Sequence, residues 1–126
     1  MARGRGDEGQ AAVELALILP FLAMLALLLL QITVVVRDQV LVIHAAREGA
    51  RESAVDAGSG APRRGVVAAS PSLDNRRLTV VSSGRGRPGS RVRVEVIYSS
   101  PTDLPLVGDL IGDIKLKGIA TMRVEK

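Results

Sequence analysis

At 126 residues the chain has room for one modest domain, and 47% of it is apolar. Much of that apolar content lies in one uncharged run, Leu15 to Val36, and the only aromatics are Phe21 and Tyr98, which argues against a large, well-filled enzyme core. The absence of Cys excludes disulfides, thiol nucleophiles and Cys-based zinc sites, and the net charge of +4 is scattered without aromatics to stack bases, which argues against nucleic-acid binding.

Residues Met1–Gly9 are polar and Gly-rich, with Arg3 and Arg5 followed by Asp7 and Glu8, and read as a short disordered leader. From Gln10 onward Glu14 is the single charge before Arg37. The 22 uncharged residues from Leu15 to Val36 reach about 33 Å as a helix, enough to cross a hydrocarbon core of about 30 Å. The run continues into Val34, Val35 and Val36 without a small-residue cleavage pattern, so it reads as a retained anchor rather than a signal peptide. Pro20 removes one helical hydrogen bond and predicts a bend. Arg3 and Arg5 before the span, against Arg37 beside Asp38 after it, favour an N-terminus inside and a C-terminus outside.

Past the span, Val36, Val40, Ile43, Ala46 and Ala50 repeat at helical spacing, so the helix is expected to run to about Asp56, stopped by Gly58 and Gly60. Its overhang would present an amphipathic face to a partner or to the chain's own domain. Residues 58–77 read as a linker with one helical turn around Val66 to Ala69.

Strands are expected at Leu78–Ser83, at Arg91–Tyr98 with Val92, Val94, Val96 and Tyr98 inward, and at Ile114–Glu125 with Ile114, Leu116, Ala120, Met122 and Val124 inward. A turn at Gly84–Gly89 and a longer connector at Ser99–Asp113 join them. The fold class is therefore α+β: a long N-terminal transmembrane helix extending out of the membrane, then a small antiparallel β domain of about three strands. The boundaries are 1–9 for the leader, 10–57 for the helix, 58–77 for the linker and 78–126 for the β domain.

The most informative constellation is Gly9-Gln10-Ala11-Ala12-Val13-Glu14 directly before the apolar helix, the layout of a type IV prepilin processing site. The plain alternative is that Glu14 is an acid favoured by a helix N-terminus at headgroup level. The string GQAAVELALILPFLAMLALLLLQ followed by HAAREGAR (His44 to Arg51) resembles the TadE-like pseudopilins, or minor pilins, of Tad (tight adherence) pilus systems. The resemblance covers residues 4 to about 55 closely and the β-rich tail loosely.

It implies cleavage after Gly9 by a prepilin peptidase, Gln10 as the new N-terminus, and pairing of Glu14 with a neighbouring subunit's terminal amine. Pro20 belongs to the same pattern. The small residues Ala45, Ala46, Gly49 and Ala50 suit a close-packing face, and the resemblance makes them an assembly surface rather than an ordinary solvated helix. The implied partners are the cytoplasmic membrane, other pilus or pseudopilin subunits and the peptidase, with no nucleic acid and no small-molecule substrate. The implied place is a bacterial cytoplasmic membrane, single-pass, with the C-terminal domain extracytoplasmic.

His44 is the sole histidine, which leaves a His-based metal site or a Ser-His-Asp triad nothing to recruit. Gly84–Gly89 lacks the spacing of a phosphate loop, and the Arg63-Arg64, Arg76-Arg77 and Arg85 to Arg93 series read as solvated charge. No catalytic, metal or cofactor residues are assigned, and a non-enzymatic structural role is expected. The competing function is a signal-anchored envelope protein whose β-rich domain binds a ligand outside the cell.

Overall fold

The computed structural model describes residues 5–125. Helix α1 runs from Arg5 to Val55, 51 residues and about 77 Å at 1.5 Å per residue. It extends into the expected leader, so residues 5–9 are helical rather than coiled, while Met1–Gly4 lie outside the described residues. Adding residues to an existing helix costs little once the apolar run has nucleated it. The helix passes unbroken through Pro20.

The other end of α1 stops at Val55, ahead of the glycines. Its last carbonyls are capped from a distance: the Arg85 guanidinium donates to the Ser53 and Asp56 oxygens, and the Glu125 amide donates to the Ala54 oxygen at 3.1 Å. A cation at a helix C-terminus meets both the free carbonyls and the negative end of the dipole. Arg85, expected to be a solvated turn charge, is thus half-buried and structural.

The expected linker carries more order than a single turn. Helix α2 spans Ala61–Ala69 with Pro62 in its first turn, where a missing amide costs nothing, and a 3₁₀ turn covers Asn75–Arg77. Strands β1 (Leu78–Ser83), β2 (Arg91–Ser100) and β3 (Ile114–Arg123) form an antiparallel meander in the order β1-β2-β3, with a short helix α3 (Val107–Ile111) in the last connector.

The period-2 pattern read from β2 holds. Val92, Val94, Val96, Tyr98 and Ser100 are buried, and the register sets Val94 opposite Ala120 and Tyr98 opposite Leu116. On the other face Glu95 bridges to Lys117 at 2.9 Å. The third strand turns Leu116, Gly118, Ala120 and Met122 toward the same side.

That apolar face lies on α1. The stripe it meets is Val35, Asp38, Val42, Ala46, Gly49 and Ser53, offset from the expected one. Val36 and Val40 instead point away, 57% and 62% exposed. Ala46 and Ala50 of the expected stripe are fully buried, so the two stripes overlap toward the end of the helix. A Cβ on Gly118 would meet the Val42 oxygen at 2.7 Å and the Ile43 Cα at 3.1 Å, so β3 sits on the helix backbone itself.

This register has direct consequences for unfolding by denaturant in mild detergent. Val94→Asp places an unpaired charge at a fully buried site and should cost about 3–5 kcal/mol. Gly118→Ala should cost about 1–3 kcal/mol by lifting β3 from α1. Arg93→Gln, on the exposed face, should stay within about 0.5 kcal/mol of the parent, and equal tolerance of all three would refute the register.

Candidate assembly and anchoring site

The junction residues sit on the bare end of α1. Gly9, Gln10, Glu14 and Pro20 are exposed, and the Gln10 side-chain amide donates to the Glu14 carboxylate one turn on, at 3.3 Å. A Cβ on Gly9 would meet nothing within 4 Å, so glycine there serves no packing purpose inside the chain. From Val13 to Leu30 the large apolar side chains stand outward, Phe21 being 71% exposed. An apolar surface of this extent is a membrane or partner surface, and the helix is long and apolar enough to cross a bilayer.

The small residues of the distal motif occupy a different environment. Ala45, Ala46 and Ala50 are fully buried, and Gly49 packs against α2. A Cβ on Gly49 would meet Val66 Cγ2 at 2.7 Å and the Pro62 oxygen at 3.0 Å, and one on Gly65 would meet the Gly49 Cα at 3.0 Å. The two helices therefore cross at glycines. The surface these small residues meet is the chain's own α2 and sheet. Exposed on α1 beyond the span are Val36, Arg37, Val40, His44, Arg47, Arg51, Glu52 and Val55.

Where the span meets the domain, a polar set joins the two. Asp38, 4% exposed, accepts a hydrogen bond from Ser100 Oγ at 2.7 Å and pairs with Arg37 at 3.6 Å. One heptad earlier Gln31, also 4% exposed, donates to Thr102 Oγ1 at 3.3 Å, and Thr102 donates to the Gly112 oxygen at 2.7 Å. Sequence reasoning passed over Gln31 and Asp38. Their seven-residue spacing, which returns a helix to one face, was the available signal.

At the opposite end, Asp56 accepts the Gly58 amide at 2.8 Å and pairs with Arg64. The Gly58 hydrogen bond, helped by the Arg64 charge, holds its carboxyl below the usual carboxylate range. A carboxyl lowered in the folded state adds stability at neutral pH that is lost as pH falls through its folded pKa. His44, Glu48, Arg51 and Glu52 line an open valley where α1 and α2 diverge. Among the described residues no group of three or more His, Asp or Glu side chains is placed to share a metal ion.

Residues 9–51 match the family model described as TadE-like protein, from the Gly9 junction to the end of the small-residue motif. No curated protein and no solved structure matches the chain. The match covers about a third of the chain, so over those residues α1 is similar to TadE-like proteins, and by length and composition this one helix is able to cross a membrane.

The two ends of the α1–domain contact are separable by mutation. Ser100→Ala leaves the buried Asp38 carboxylate short of its donor and should cost about 1–3 kcal/mol. Arg85→Ala uncaps α1 and should cost about 1–2 kcal/mol, against less than about 0.5 kcal/mol for the exposed Arg87→Ala, read from thermal unfolding.

Proposed function

Proceeding from a TadE-like α1, we propose that the chain is a pseudopilin: a membrane-anchored structural subunit of the Tad pilus assembly machinery, processed at Gly9 and joined to neighbours through α1. The observation that carries this reading is the division of α1 into two parts. Residues 31–54 are committed to the chain's own domain along one stripe, whereas Gly9, Gln10, Glu14 and the large apolar side chains from Val13 to Leu22 stand exposed ahead of it.

The leader faces the cytoplasm and the sheet domain lies outside, in keeping with Arg3 and Arg5 preceding the span. A prepilin peptidase cuts between Gly9 and Gln10. Because the backbone there is helical, the bond must first be unwound, and Gly6 and Gly9 each lower the cost by about 1 kcal/mol relative to alanine. The new amine at Gln10 is a cation at the membrane surface. Glu14 of an adjacent subunit supplies its counter-charge, since either ion alone is penalised there and the pair favours one packing register. Above the bilayer, exposed Val36 and Val40 continue the apolar surface toward a neighbouring helix.

Mass spectrometry of the protein from its native membrane tests the processing step. The mature chain should begin at Gln10, lighter by roughly 0.9 kDa at about 0.11 kDa per residue, and Gly9→Leu should retain the leader while keeping the anchor. A wild-type chain still beginning at Met1 or Ala2 beside an active peptidase overturns the pseudopilin reading in favour of an anchored binding module.

Glu14→Ala tests assembly separately. It makes the span more apolar, so membrane integration should be unchanged or improved, whereas co-purification with other pilus subunits should fall. Normal assembly by this variant would leave Glu14 as a helix-terminus acid only.

A further inference from the structure

Helix α3 and the turn before it form a second apolar surface beside the span. Leu106, Leu110 and Ile111 are 64%, 79% and 51% exposed, an unusual amount of aliphatic surface for a connector. They do not stand alone. Val107 is buried, and with Leu110 and Ile111 it borders a shallow apolar groove whose other wall is Met24, Leu25 and Leu28 of α1. Those three belong to the outward-facing part of the span, 46%, 51% and 40% exposed, so the two surfaces are continuous.

The local backbone is built to hold this surface out. Leu106 has φ of +69°, a left-handed conformation that a water-facing turn would ordinarily give to Gly or Asn. Gly108 lets α3 press against the Thr102 carbonyl, where any side chain would collide. Thr102 in turn is clipped to α1 by Gln31. The Gly108 amide bonds the Leu104 oxygen and the Gly112 amide the Gly108 oxygen, both at 2.9 Å, so these amides need no water. On the helix Val107, Leu110 and Ile111 fall on one side by their three- and four-residue spacing, and Asp109 falls on the other.

We infer that α3 lies in the bilayer that α1 crosses, in the leaflet next to the domain, with Leu106, Leu110 and Ile111 against lipid acyl chains and Asp109 at headgroup level. The occupant of this surface is lipid because the surface extends the span's own apolar face at the same height. An interfacial apolar edge of this kind enters only about 5–10 Å below the headgroups. Met24 to Leu28 therefore sit in that leaflet, and Glu14, ten residues before Met24 and about 15 Å farther along the helix, falls toward the opposite one.

The inference rests on α1 spanning the membrane, and one experiment separates the two. The natural chain has no Cys, so Leu22→Cys, Leu110→Cys and Val81→Cys each accept a single environment-sensitive fluorophore. The full chain is reconstituted into phosphatidylcholine–phosphatidylglycerol vesicles with and without acyl-chain nitroxide lipid. Labels at positions 22 and 110 should emit blue-shifted and be quenched at least two-fold by the nitroxide, while the label at 81, on the outer face of the sheet, should behave as in water. Quenching at 22 with none at 110 overturns the placement of α3 and leaves the span intact. A blue-shifted but unquenched label at 110 means protein covers it, which also overturns the inference. No quenching at 22 removes the spanning helix and the inference with it.

Discussion

A three-stranded sheet has one apolar face to bury and nothing of its own to bury it against. Here the missing wall is the far half of α1, and contact is made at the level of the backbone. Gly118 brings β3 against the Val42 carbonyl, and Gly49 and Gly65 let α2 cross α1 without intervening side chains. The alanines between them, Ala45, Ala46 and Ala50, fill what remains. The sheet register, the seating of α2 and the burial of Val94 and Val96 all depend on this narrow stripe staying narrow. A single added methyl group is felt because the interior has no slack to absorb it.

The same helix must satisfy two solvents in succession. From Leu15 to Leu30 every face of α1 is apolar, as suits lipid; alongside the domain the helix is divided, with one stripe sealed against the sheet and the remainder exposed. The change of regime falls at Gln31 and Asp38. Each is buried and each is answered by a hydroxyl, Asp38 by Ser100 at the end of β2 and Gln31 by Thr102 just beyond it. Polar groups at such a crossing fix the height of the domain on the helix, because sliding by even one residue would bury them unpaired.

The long helix, the three strands and the inward set of β2 and β3 were legible in the sequence, because uncharged length and strict alternation are strong signals. So was the likeness of residues 9–51 to the TadE-like family model, where Gly9, Glu14, Pro20 and the distal small residues occur together. The buried stripe of α1 was not. Asp38 sits within it, while Val36 and Val40, which read as part of a face for a partner or for the chain's own domain, point away from the sheet. Helix α2 was hidden by Pro and Gly, which act there as an N-terminal starter and a crossing point. Arg85 was one of several turn arginines until the fold brought it to the carbonyls of α1, a contact between residues about thirty positions apart that no local pattern encodes.

Helix α1 runs from the bilayer into the core of the domain without a break, and both ends of the domain are tied to it, at Gln31 through Thr102 and at Ala54 through Glu125. Anchor and domain thus share a single continuous helix with no linker between them. Between the apolar run and the first residue tied to the domain, Gln31, there is no flexible tether. The domain cannot swivel independently: rotation of the helix turns it through the same angle, and a displacement of one helical turn, about 5.4 Å, raises or lowers it by that distance.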